Sequence, residues 1–150
     1  MENTERDRWG LMFLVLLVAI AGPLAFFKVS PILPTLMGSL SLTNTEGGLI
    51  NATVFSLAGI VMAIPGGIIV SKLGNWMSGL IALFSIIVGA VIGLFAESLT
   101  PLIFSRIIEG VGLIFMTLVG PNVIAQAISP KKRGLAMGIF MTFMSIGCII

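Results

Sequence analysis

Three ionisable side chains, Lys28, Arg106 and Glu109, lie inside long apolar runs of this 150-residue chain. A charge near the centre of a bilayer costs about 2.5–3.5 kcal/mol, so each calls for a partner or a task. Arg106 and Glu109 are three apart and would share one face of a helix, where they can pair. At 1.5 Å per helical residue, Lys28 lies roughly 9 Å beyond the middle of its run, and Arg106 and Glu109 roughly 12 and 8 Å from the middle of theirs. The three therefore share a depth. Two readings follow. In the functional one, Lys28 and Arg106 face a water-filled cavity and bind an anionic solute, while Glu109 balances Arg106 or carries a proton. In the structural one, Lys28 snorkels to the headgroups and Arg106 with Glu109 only ties helices together.

Other chemistry is poorly supplied. The chain has no His and one Cys, Cys148, which removes most metal, disulfide and Cys-His nucleophile arrangements. Paired carboxylates and a G-x-S-x-G elbow are missing too, so no catalytic residue, metal site or cofactor is expected. Apolar residues make up 57% of the chain and charged residues 9%, with a mean hydropathy of +1.17. A soluble fold carries roughly 25% charge, so the partner of this surface is the lipid bilayer. A net charge of +2, scattered along the chain, does not suit nucleic acid.

The elements that must position the three charges are read around the stretch Pro65 to Trp76. There a short break, with Ser71, Lys72, Gly74 and Asn75, separates two runs each long enough to cross a bilayer. Gly74 can end a helix in the left-handed conformation and Asn75 can cap the next. Five spans result, at about 10–30, 45–71, 76–96, 101–128 and 134–150, giving an all-α, polytopic helix bundle. Trp9 anchors the first at the interface, and Pro31 and Pro34 end it. Thr43 and Glu46 have the spacing of a capping box and start the second near Asn44. Along it Ala52, Ser56, Gly59, Ala63, Gly67 and Ser71 form a stripe of small residues, the kind that lets helices pack closely in lipid. Ser85, Gly89 and Gly93 do the same in the third span, and Thr100 with Pro101 opens the fourth. Gly22-Pro23 and Gly120-Pro121 are either local bends or hinges. Arg6 and Arg8 before an apolar core, with Ala19-Ile20-Ala21 behind, also resemble a secretory signal, but the tail holds three acids and the apolar run continues past Ala21.

Orientation follows from the cations in the connections. Arg6 and Arg8, then Lys72, then Lys131, Lys132 and Arg133 fall on one side, and the two intervening loops hold none. The positive-inside rule puts the N-terminus and the 65–76 turn in the cytoplasm, with the chain in an inner or plasma membrane.

This pattern resembles the N-terminal half of the major facilitator superfamily of secondary transporters. The family's G-x-x-x-D-R-x-G-R-K turn between its second and third spans is matched here by Gly67, Lys72 and Gly74, with Ser71 in place of the acid and Asn75 and Trp76 in place of the last pair. An Arg followed by G-x-G in the fourth span is matched by Arg106, Gly110 and Gly112. Pro130, Arg133, Gly134, Ala136 and Gly138 resemble the entry to the fifth.

The resemblance implies a fold of twelve helices in two six-helix halves with a solute site between them near the midplane. It implies that Gly67, Ser71, Lys72 and Gly74 form the gating turn, and that Lys28 and Arg106 line a cavity for a small, anionic solute, with a proton or ion as coupling partner. Five spans and an apolar ending read as part of something larger, whose remaining spans or second half would complete the cavity. The alternative is a non-transporting membrane subunit or truncated product that only associates with other helical proteins.

Overall fold

The computed structural model describes residues 7–39 and 41–149. Arg6 and Ile150, used above for the cation count and the end of the fifth span, lie outside them, as does the side chain of Ala52 in the small-residue stripe. The described residues form helices: α1 (Trp9–Ala19), α2 (Ala21–Phe27), α3 (Val29–Ser39), α4 (Asn44–Gly48), α5 (Val54–Leu94), α6 (Leu99–Ala127), α7 (Pro130–Met141) and α8 (Phe143–Ile149). A π-helical turn, Leu49–Thr53, joins α4 to α5.

The first apolar run stays helical to Ser39, past Pro31 and Pro34, with bends instead of a stop. Ile20 and Lys28 separate α1, α2 and α3 but keep right-handed helical dihedrals, and their N–H groups still reach Leu16 and Leu24 at 3.2 and 3.1 Å. The bends have a covalent cause. Pro23 and Pro31 lack the N–H that would bond the carbonyls four residues back, at Ala19 and Phe27. Each bend falls at the residue after one of those carbonyls. Pro31 itself sits in the first turn of α3, where a missing donor costs little.

The chain re-enters at Thr43. Its hydroxyl accepts from the Glu46 N–H at 3.3 Å, and its own N–H donates to the Glu46 carboxylate at 2.8 Å, a complete capping box that begins α4 at Asn44.

As one rod, the 41 residues of α5 would measure about 60 Å, twice the hydrocarbon thickness of a bilayer. Gly74, at φ 79° and ψ 169°, breaks it into limbs 54–73 and 75–94. Along the first limb, Gly59 faces Ile114 and Gly66 faces Leu118. Along the second the order reverses: Gly79 faces Val119, and Gly93 faces Ser105. The limbs therefore run antiparallel on the same helix, α6.

The fourth apolar run, α6, is the hub. In its most apolar window 56% of residues are buried, against 33% or less in the first run, in α5 with its two limbs taken together, and in Pro130–Ile149. Val70 and Ala82 from the two limbs meet Phe115, Met116 and Val119 at its middle. Met12, Leu16 and Ala19 of α1 meet Ile124 near its end, together with Phe140 and Phe143 of α7 and α8. Val29, Ile50 and Leu102 close the opposite end. The capping position of α6 is Ser98, one turn-fraction earlier than Thr100, and Pro101 remains in the first turn. Helix α7 likewise opens at Pro130, so Lys131, Lys132 and Arg133 lie in its first turn instead of before it.

Candidate functional site

Lys28 sits at the bend between α2 and α3, and Arg106 and Glu109 face it from α6. The Lys28 ammonium donates to Glu109 Oε1 at 2.5 Å. The other carboxylate oxygen, Oε2, meets Arg106 Nη2 as a charge contact rather than a directed hydrogen bond. Arg106 Nη1 also donates to the carbonyl of Ala25 at 2.9 Å, tying α6 to α2. One carboxylate thus serves two cations, and the triad keeps one surplus positive charge.

Exposure divides the members. Arg106 and Glu109 side chains are 1% and 0% exposed, whereas Lys28 is 39% exposed. Arg106 Nε is buried without a hydrogen-bond partner among the described residues. The guanidinium is therefore fixed between Ala25 and Glu109, and Lys28 is the member within reach of an incoming group. Pairing of Arg106 with Glu109 is local, one helical turn. The Lys28 contact spans 81 residues of sequence, and only the shared depth of the three charges hinted at it.

The turn residues lie elsewhere. Gly67, Ser71, Lys72 and Gly74 sit at the far end of α5's first limb, beside the part of α6 near Val119, roughly 15 Å along that helix from Glu109. Ser71 Oγ donates to Ile68 O at 2.8 Å, and Lys72 is exposed. The structure does not bring them to the triad.

Two further arrangements escaped the sequence reading. On the turn side of the bundle, Asp7 accepts from the Ser129 N–H at 2.9 Å and from Lys132 Nζ at 2.8 Å, clasping the start of the first run to the start of α7. Arg133 Nη2 donates to Ala125 O at 2.6 Å in the same region. An apolar cavity of about 360 Å³ between α1, the second limb of α5 and α6, with Asn75 and Gln126 among its lining residues, contains no triad member. Among the described residues no group of His, Cys, Asp and Glu could hold a metal ion.

The sequence of residues 10–150 matches the family described as Major Facilitator Superfamily. The chain belongs to the Major Facilitator Superfamily. Similar proteins include High-affinity glucose transporter 1 of Candida albicans, 28% identical over 99% of this chain and 29% of that protein. Myo-inositol transporter 3 of Cryptococcus neoformans is 29% identical over 99% of this chain and 26% of its own length. Among solved structures, a bacterial homologue of the human lysosomal transporter Spinster, in an inward-facing and occupied conformation, superposes with a TM-score of 0.83. It is 22% identical, and the match covers 94% of this chain and 30% of that one. The chain spans less than a third of the length of these similar proteins. It is a multi-pass membrane protein of a transporter superfamily, not an enzyme.

Proposed function

We propose that this chain forms the first part of a secondary transporter for a small anionic solute, with Lys28 as the residue that meets the solute. One observation carries the reading: a carboxylate shared by two cations leaves a surplus charge on the only triad member that is substantially exposed. In a low-dielectric site such a charge invites a counter-ion. Arg106 acts from behind, holding Glu109 in place, and Glu109 is the acid that would carry a coupling proton. Gly67, Ser71, Lys72 and Gly74 serve as the gating turn on the cytoplasmic side of an inner or plasma membrane. Further helices, from a second half or from a helical partner, supply the rest of the cavity. A chain that only associates with other helical proteins would show no uptake in any context.

The test is uptake into vesicles by the protein in its full reading frame. A charge-assisted bond contributes about 1.5–3 kcal/mol, so Lys28→Gln should weaken uptake of a small carboxylate by tenfold or more while membrane insertion is unchanged. Unchanged uptake removes Lys28 from the site. A second reading, a neutral polyol hydrogen-bonded by the same triad, is favoured by the glucose and myo-inositol transporters among the relatives. Competition by polyols and not by carboxylates would select it. Orientation is tested separately: cysteines placed at Ser41 and Asn75, in a Cys148→Ser background, should label from opposite sides of the membrane.

A further inference from the structure

The second limb of α5 crosses α6 with almost no room between the backbones, and it does so at the level of the charges. A Cβ on Gly89 would stand 2.5 Å from Glu109 Cγ, 2.9 Å from the Ser105 carbonyl oxygen and 3.1 Å from the Glu109 nitrogen. Ser105, fully buried, donates from Oγ to the Gly89 carbonyl at 2.7 Å. One turn along, Gly93 leaves space for that hydroxyl, since a Cβ there would lie 2.7 Å from it. Below, a Cβ on Gly112 would lie 2.8 Å from the Ala82 carbonyl oxygen.

Ser105, Glu109 and Gly112 recur at i, i+4 and i+7, so all three leave α6 on the face that meets this limb. Glu109 therefore starts out pointing at a neighbouring backbone. The bare Gly89 accepts its Cγ, and the carboxylate continues past the limb to Lys28 Nζ and Arg106 Nη2. The Ser105 hydroxyl pins the height of the limb against α6. We infer that Gly89 and Ser105 are positioning residues: together they set where the Glu109 carboxylate stands between its two cations. Any side chain at Gly89 must push the limb outward or rotate Glu109 away, because two of the atoms it would meet belong to backbone that cannot fold aside.

This rests on the reading of the triad as the solute site, and the two can fail separately. Dicyclohexylcarbodiimide enters membranes, activates a carboxyl group and lets a touching amine displace the urea, leaving an amide. Applied to the detergent-solubilised full-frame protein, it should join Lys28 to Glu109, read by mass spectrometry. Gly89→Ala should lower the yield at least about tenfold and Ser105→Ala about threefold, whereas Gly48→Ala in α4, which adds a Cβ into open space, should keep it. Ser105→Ala removes only a hydroxyl, so it keeps the test decisive if Gly89→Ala does not fold. A packing role alone would lower the unfolding midpoint and leave the yield of the folded protein intact. Equal yields in all four proteins, or no cross-link in the wild type, overturn the inference. Normal cross-linking without binding of acetate as the probe anion would instead remove the anion-site reading and leave the positioning role standing.

Discussion

The exposures of the triad predict an asymmetry that a pair of double-mutant cycles can measure. Glu109 and Arg106 are 0% and 1% exposed, so removing Glu109 strands the buried Arg106, and removing Arg106 leaves the buried carboxylate with Lys28 alone. Breaking a buried ion pair in this way costs about 3–5 kcal/mol. Removing both together, as Arg106→Leu with Glu109→Gln, leaves no buried charge and should cost much less than the sum. The coupling energy is then about 2–3 kcal/mol. Lys28 is 39% exposed and can reach the headgroups along its stem, so the Lys28 and Glu109 cycle, discounted for screening, should give about 1 kcal/mol or less. An ordinary hydrogen bond between membrane helices averages about 0.6 kcal/mol, which makes the larger value diagnostic of the ion pair. The assay is reversible unfolding in mixed micelles of rising dodecyl sulfate content, followed by circular dichroism and by the fluorescence of Trp9 and Trp76. Additive Arg106 and Glu109 effects, within about 0.5 kcal/mol, would show that the contact carries no energy. Equal coupling in both cycles would refute the division into a fixed cation and an exchangeable one.

Two other outcomes follow from single residues. Gly74 holds a φ and ψ combination open almost only to glycine, and a Cβ there meets nothing within 4 Å, so Gly74→Ala should cost about 1–3 kcal/mol in backbone strain alone. The same assay on Gly67→Ala, helical and equally open, should show no loss, and equal effects at the two positions would deny Gly74 its turning role. The hydrogen bonds from Lys132 and then from Ser129 lower the Asp7 carboxyl from 3.8 to about 2. A depressed value means that the clasp stabilises the fold fully above about pH 4 and loses that contribution as pH falls through about 2. The protection factor of the Ser129 amide should drop across that window in the wild type and stay level in Asp7→Asn; a level wild-type profile would show that the clasp does not form.

Much of the architecture was legible because lipid leaves a chain few choices. Lys72, Gly74 and Asn75 between two long apolar runs could hardly be anything but a hairpin, and the Thr43 and Glu46 spacing located a helix start to the residue. The errors came where proline was read as punctuation. Pro31 and Pro34 do not stop the first helix, because lost donors bend a membrane helix whose backbone must still be satisfied internally. Pro23 and Pro31 instead place bends at Ile20 and Lys28, and the second bend is where the triad's exposed cation sits.

The site was legible in part, and the division has a physical origin. Arg106 and Glu109 could be paired on paper because one helical turn fixes their separation whatever the rest of the chain does. Lys28 could be matched to them only by depth, since its contact across 81 residues depends on how α2 is rolled against α6. That roll is held by the bond from Arg106 to the Ala25 carbonyl, three residues before Lys28. Gly89 was visible only as one member of a small-residue stripe, because a missing side chain has no chemistry of its own until its neighbour is known. Once the neighbour proves to be the one acid in the site, the stripe explains how a carboxylate that leaves its helix toward a crowded backbone can still serve two cations at once.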